Sequence, residues 1–415
     1  MTETTRKSVA VIGGGIAGLT ASLRLAELGY KVDVFEAAPE LGGRTKSFYD
    51  ETVEEWVDNG PHLMVGAYFA TRKLLEDVGA SHHVTWQTSL TLPLWDKNRG
   101  LFSLHARSWL PIPLALILAV AKMPGHGWAS VRAMLKLAVT MANRNEEQTV
   151  QSWLEEIKAP DMLIQDMLEV LCLGVMNEPL ETANAKTFAR VLATSFSSHQ
   201  HAKMGWFNQS LSQGLIQPVA NKANQLGVNF HLKHTIRDLA ELKHDAVILA
   251  IPAFARNRLL GIKEEVETQV ITNVHLWFDE KISLPSTMLG MLGTYSQWLF
   301  DIGQMTNQRG KHHLCVTVSA DDLKLSQADC LQAVLKELEV ALGTTLPEPL
   351  QTRVIREKRA TVLVRQQKKY ELPKHVYDAS ESPYPGQLPA TIELAVISGS
   401  EAAQWVHMGT NVTRN

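Results

Sequence analysis

Runs of apolar residues, and the way they alternate with polar ones, divide the chain into a strand–helix–strand opening, a long helical middle and a second half rich in strands. Val9–Ile12 is an unbroken apolar run that stops at Gly13-Gly14-Gly15, and apolar positions then recur at helical spacing from Ile16. Lys31–Phe35 is a second short apolar strand, so the chain opens as a right-handed βαβ unit. Asp58-Asn59-Gly60-Pro61 reads as a turn, and Ala70–Val78 as an amphipathic helix stopped by Gly79. Alternation across Val84–Leu104, with turn residues at Asp96–Gly100, predicts a hairpin. From Leu110 to about Ser195 the pattern of Leu, Met and Ala is helical. There Thr149 is the N-cap of the helix carrying Trp153 and Leu154, and Pro160 marks that helix's end.

Alternation returns at Val228–Ile236, and Asp245–Ile251 is a buried strand closed by Pro252. Val274–Asp279 and His313–Val318 are further strands, Leu323–Leu342 is a helix ended by Gly343, and Arg353–Val364 is extended. A last helix opens after Pro389 and runs to about Val406. No repeat or low-complexity linker separates these blocks, and 415 residues suffice for two domains. The pattern predicts an α/β dinucleotide-binding domain made of 1–75, 205–260 and 375–415. It is interrupted by a mixed α+β substrate domain of 76–204 and 261–374.

Chemistry concentrates near the N-terminus. Gly13, Gly15 and Gly18 hold the three positions of a dinucleotide fingerprint: a tight turn, a close approach of backbone to pyrophosphate, and close packing of helix on strand. The helix opening at Ile16 and Ala17 offers free N–H groups to a phosphate. Glu36 ends the second strand at the spacing where a carboxylate accepts from ribose hydroxyls, which disfavours a 2′-phosphate and hence NADP. Gly42-Gly43-Arg44 adds a second segment able to pass close to a phosphate and neutralise it.

Composition narrows the partners. A net charge of −3 argues against nucleic acid, whose phosphates need a basic surface. Cys172, Cys315 and Cys330 are few and far apart, so they read as reduced thiols of a cytoplasmic protein, with neither a disulfide framework nor a metal site. His199/His201 and His312/His313 lack zinc-site spacing and read as solvated surface histidines. Met1–Ser8 is polar and no secretion signal is expected. Trp109–Ala121 is too short to span a bilayer, and its composition favours a core helix over one lying in the bilayer interface.

The glycine fingerprint together with Gly42-Gly43-Arg44 resembles the FAD-contacting segments of the flavin amine oxidase and phytoene desaturase superfamily. The stretches Asp58–Tyr68, Leu171–Pro179, Leu284–Gly290, Ser296–Gly303 and Glu357–Thr361 narrow the resemblance. They are similar to the squalene-associated FAD-dependent desaturases, also described as hydroxysqualene dehydroxylases of hopanoid biosynthesis. The likeness runs nearly the whole length, in order, and implies a glutathione-reductase-like Rossmann fold binding FAD. It implies cofactor contacts at Gly13, Gly15, Ile16, Ala17, Gly18, Glu36, Gly43, Arg44, Gly60, Ile236, Glu381 and Glu393.

Two departures stand out. Pro61 replaces a usual glutamine, and Ala379-Ser380-Glu381 stands where the family has Ala-Gly-Asp. Ser380 is expected to crowd the flavin if that position needs close approach or positive φ. The resemblance further implies reductive removal of the hydroxyl of hydroxysqualene, a long apolar isoprenoid, at the cytoplasmic membrane surface. Squalene-synthase-like enzymes and an electron donor are its implied partners. Asp58 and His62 are the candidate proton donors. A carotenoid-type desaturase and a non-catalytic flavoprotein scaffold are the competing readings.

Overall fold

The computed structural model describes residues 7–306, 312–366, 370–381 and 383–409. A five-stranded parallel sheet runs Asn229–His231, Lys31–Phe35, Ser8–Ile12, Ala246–Leu249, Val376–Asp378, so three distant stretches of chain meet in one layer. Strand Ser8–Ile12 sits at its centre with every residue from Val9 to Ile12 buried, as both faces of a parallel sheet require. Its side chains alternate between two cores. Val9 and Val11 pack with the helices Ile16–Glu27, Gln217–Gln225 and Ile392–Met408, while Ala10 and Ile12 pack with Ile236, Val247 and Leu249 on the other face.

A seven-stranded sheet forms the second layer, ordered Gln351–Val362, Thr268–Phe278, His312–Ser319, Trp298–Asp301, Met288–Leu292, Thr91–Asp96, Gly100–His105. Its neighbours are antiparallel except the pair Met288–Leu292 and Thr91–Asp96. The expected hairpin is narrower than its alternation suggested. Only Thr91–Asp96 and Gly100–His105 pair around the turn, where Asp96 accepts from the N–H groups of Asn98 and Arg99. Val84–Trp86 pairs instead with Met204–Phe207, a partner more than a hundred residues away. Helices Ile112–Ala121, Trp128–Thr140, Val150–Glu156, Glu169–Met176 and Ala185–Ser195 cover the leucine-rich end of this sheet in one apolar core. Thr149 caps as expected, accepting from the N–H of Ser152 at 3.2 Å. The helix predicted from Leu323 starts later, at Gln327, because Ser326 caps it and Leu323 has a left-handed φ of 57°.

Two carboxylates singled out from the sequence serve the fold. Glu393, on the last helix, turns away from the interior cavity described below. It accepts from the N–H groups of Ala70 and Thr71, each at 2.8 Å, and from the Thr71 hydroxyl at 2.7 Å. Those N–H groups open helix Phe69–Asp77, whose own N-cap residue Tyr68 supplies no side-chain cap, so a residue 322 positions away satisfies it. Asp58 ends the small hairpin Ser47–Asp50/Glu55–Asp58 and accepts from the Ser47 hydroxyl at 2.5 Å and the Leu211 N–H at 3.0 Å. Ser47 and Ser212 exchange reciprocal hydrogen bonds beside it, which fastens the hairpin to the start of the helical segment after residue 211.

Both arrangements are testable by unfolding. Glu393→Ala leaves two helix N–H groups and a hydroxyl buried without acceptors and is expected to cost about 2–4 kcal/mol by denaturant unfolding; Glu393→Gln, which keeps an acceptor, costs less. Burial pushes the Asp58 carboxyl up from 3.8 to about 6, against the hydrogen bonds from Ser47 and Leu211. The folded state then holds a proton that the unfolded state releases, so this group's contribution weakens as pH rises from about 4 to about 6. Asp58→Asn keeps the acceptor without the charge. Its stability relative to the unsubstituted protein is expected to improve by up to about 3 kcal/mol between those pH values, and a pH-independent difference contradicts this.

Candidate functional site

One cavity of about 1100 Å³ runs from the carboxyl ends of the parallel strands into the helical layer. Its polar end is the fingerprint turn. Gly13 has φ 107°, and a Cβ there would stand 2.3 Å from the Ala250 carbonyl oxygen, so only glycine makes this turn. A Cβ on Gly15 would meet nothing within 4 Å, leaving bare backbone facing the cavity, and Gly43 lies against Gly15 on the opposite side. This is the cradle that a pyrophosphate requires at a helix N-terminus. Gly18 does not reach the cavity; a Cβ there would be 1.9 Å from the Gly13 carbonyl oxygen, so its role is the close seating of helix on turn.

Gly13, Gly15, Ile16, Ala17, Glu36, Gly43, Arg44, Gly60, Ile236, Glu381 and His62 all line the cavity, whereas Gly18, Asp58 and Glu393 do not. Glu36 is fixed by the N–H groups of Gly14 at 2.6 Å and Ala38 at 2.8 Å, which hold its carboxylate at the strand end. Arg44 is already engaged, donating to Glu381 and to the Ala360 carbonyl at 2.9 Å. The guanidinium is therefore a positioned cation with part of its fork spent, rather than a free clamp.

Ser380 does not crowd this space. It is absent from the cavity wall and 1% exposed, its hydroxyl donates to the Leu249 carbonyl, and its N–H donates to Asp378. Its φ lies outside the positive region, so the backbone accepts a side chain here. The N-terminal turn of the last helix faces the cavity through Thr391, Ile392, Leu394 and Ala395. These residues fit a dinucleotide with a flavin at its inner end: bare glycine backbone for the diphosphate, a fixed carboxylate for the ribose, and a helix terminus deeper in. The far end of the cavity is apolar, with Leu90, Leu92, Leu116, Met167, Leu171 and Phe188 among its walls.

Of the two candidate acids, only His62 reaches this space. Its Nδ1 lies 2.9 Å from the Gly60 carbonyl oxygen, which can only accept, so Nδ1 carries the hydrogen and Nε2 is left as the nitrogen that gains or loses a proton. Burial, and then the charge of Arg44, hold its pKa below the ordinary value. Tyr68, also on the wall, closes the Asp58–Tyr68 stretch and carries no signal of its own in the sequence. Burial and the Glu393 charge raise its phenol, which stays protonated as a hydrogen-bond donor.

Behind His62 lies a smaller void, of about 30 Å³, walled by Asp58, His62, His275 and His313 among others. His313 is not the solvated residue expected. It is 1% exposed, stacks on Trp277 at 4.3 Å and shares a hydrogen bond of 2.9 Å with His275. His312 is also withdrawn from solvent, accepting at Nδ1 from the Ile282 N–H and meeting Asp301 at 3.1 Å. Strand pairing explains the difference, because His275 and Trp277 stand on the neighbouring strand facing the His312–Ser319 segment. Burial lowers the pKa of His275 to about 4, so this pair is neutral at ordinary pH. The three cysteines are buried and free, and among the described residues no group of three or more His, Cys, Asp or Glu is placed to hold a metal ion.

Comparisons with known proteins agree with this geometry. The chain is 26% identical to the hydroxysqualene dehydroxylase of Sinorhizobium fredii, over 98% of this chain and 99% of that protein. It is 22% identical to the chloroplastic/chromoplastic 15-cis-phytoene desaturase of Arabidopsis thaliana, over 80% of this chain and 66% of that one. Among solved structures, an oxidoreductase from Methanosarcina mazei superposes with a TM-score of 0.75 at 14% identity, covering 96% of this chain and all of that one. Residues 16–365 match the family described as flavin containing amine oxidoreductase, and the chain belongs to that family as an FAD-dependent oxidoreductase.

Proposed function

We propose that this protein reduces hydroxysqualene to squalene with FAD, working at the cytoplasmic face of a membrane because the substrate does not dissolve in water. The observation that carries this reading is the cavity, which begins at a dinucleotide cradle and ends between leucine and methionine side chains. Such walls accommodate a long hydrocarbon and offer a single hydroxyl few polar partners. The near full-length similarity to hydroxysqualene dehydroxylases supports the same substrate class.

The reaction replaces a C–O bond by a C–H bond: the allylic alcohol takes up one hydride and one proton and releases water. The flavin, when bound and reduced, supplies the hydride. The chain's own tasks are to orient the hydrocarbon, exclude water and deliver the proton to the departing hydroxyl oxygen. His62, protonated at Nε2 with Nδ1 held on the Gly60 carbonyl, is the donor we assign. Tyr68 is the neighbouring donor able to hold the hydroxyl. A carotenoid-type desaturation is the second reading, favoured by similarity to phytoene desaturases. It runs electrons the other way, from hydrocarbon to oxidised cofactor.

Two measurements separate these readings. With the FAD-loaded protein reduced anaerobically and given hydroxysqualene in detergent, mass spectrometry is expected to find one squalene per flavin reoxidised. In a parallel incubation with the flavin oxidised, loss of hydrogen from the hydrocarbon coupled to flavin reduction would establish desaturation instead. His62→Gln is expected to slow dehydroxylation by about 10²–10⁴-fold with flavin still bound. In the unsubstituted protein the rate falls as pH rises, through a midpoint below the ordinary histidine value, since only the imidazolium donates. An unchanged pH profile in the variant would remove His62 from the role.

A further inference from the structure

The helices covering the apolar end of the cavity carry a surface that a water-exposed helix pair does not need. Helix Ile112–Ala121 keeps Leu114 and Leu118 outside, 51% and 46% exposed, and Trp109 just before it is 72% exposed. Helix Trp128–Thr140 packs against it and leaves a second stripe outside at helical spacing: Trp128 at 78%, Arg132, Leu135 at 48% and Val139 at 78%. On a helix facing water this stripe would be polar. Neither helix can cross a bilayer, and no described helix is long and apolar enough to do so.

Charge identifies what covers this face. Between Lys97 and Asn145 the chain has seven Lys or Arg and no Asp or Glu, although the whole protein carries a net charge of −3. Arg99 and Arg144 are bound to Asp166 and Glu156. Arg107, Lys122 and Arg132 are exposed, and no ion pair holds them among the described residues. Unpaired cations around exposed tryptophan and leucine match the headgroup boundary of an anionic bilayer: rings seat at the interface and the cations meet lipid phosphates. A protein partner of ordinary polarity would call for charges of both signs.

Helix Ile112–Ala121 also has an inner side, where Leu116 forms part of the cavity wall. We propose that helices Ile112–Ala121 and Trp128–Thr140 form a docking face for an anionic lipid bilayer, placing the apolar end of the cavity next to the membrane. Delivery of a hydrocarbon by this route rests on the isoprenoid reading above; the docking does not.

The test is flotation of the full-length, FAD-loaded protein with vesicles of phosphatidylcholine alone or mixed with phosphatidylglycerol. Binding is expected to be at least about ten-fold stronger to the anionic vesicles and to weaken with salt. Exchanging Trp109→Ser and Trp128→Ser together is expected to reduce it about ten-fold or more. Replacing Arg107, Lys122 and Arg132 by Gln is expected to erase the preference for anionic lipid. All of these side chains are exposed, so unchanged flavin absorption and unchanged turnover of detergent-dispersed substrate serve as folding controls. No flotation with either vesicle, or flotation indifferent to these substitutions, overturns the proposal. Flotation that behaves as expected, in a protein that makes no squalene, leaves the docking face standing and removes the substrate assignment.

Discussion

The site depends on how closely the first helix can be seated. Helix Ile16–Glu27 meets backbone at close range at two glycines. Gly18 brings it onto the turn at Gly13, and Gly399 of the last helix lets that helix press on the carbonyl of Ala17. A Cβ at either point would stand 1.9 Å or 2.2 Å from a backbone oxygen, a distance that forces the elements apart. Were the helix displaced, its free N–H groups would leave the mouth of the cavity and the bare backbone at Gly15 would no longer face it. The last helix would lose its place as well, and with it both the cavity-facing turn at Thr391–Ala395 and the cap that Glu393 gives to helix Phe69–Asp77.

From that fixed point the cavity changes character along its length. Near the strands it is built of backbone and fixed charge: Glu36 held by two N–H groups, and Arg44 held by Glu381 and a carbonyl. Deeper in, burial controls the titratable groups His62 and Tyr68, keeping the first weakly basic and the second protonated. Beyond them the walls are hydrocarbon. This gradient suits a reaction in which one polar group of an otherwise apolar molecule is attacked, because it leaves only one end where that group is solvated.

What the sequence reveals of this arrangement follows the range of the interactions. The glycine fingerprint, the strand ending at Glu36 and the Thr149 cap are legible because each is set by residues a few positions apart, and each is found where the pattern puts it. Glu393 and Asp58 look like site residues in the sequence, since they lie in motifs near cofactor segments. Their side chains are claimed by partners 322 and 153 positions away, and no local pattern carries that information. The same holds for His313, which only strand pairing places beside His275 and Trp277. Ser380 departs from the expected crowding because its strand end turns the hydroxyl toward Leu249, an orientation fixed by the neighbouring strand rather than by its own residue type.

A single continuous cavity that serves both a flavin and a long hydrocarbon has to bind the two at once, side by side. The most direct measurement is titration of the oxidised, FAD-loaded protein with squalene dispersed in detergent, following the visible flavin band. Saturable binding of one squalene per flavin, with a shifted band and FAD retained, is the predicted result. Release of FAD as squalene binds, or binding that leaves the flavin spectrum untouched, would contradict it.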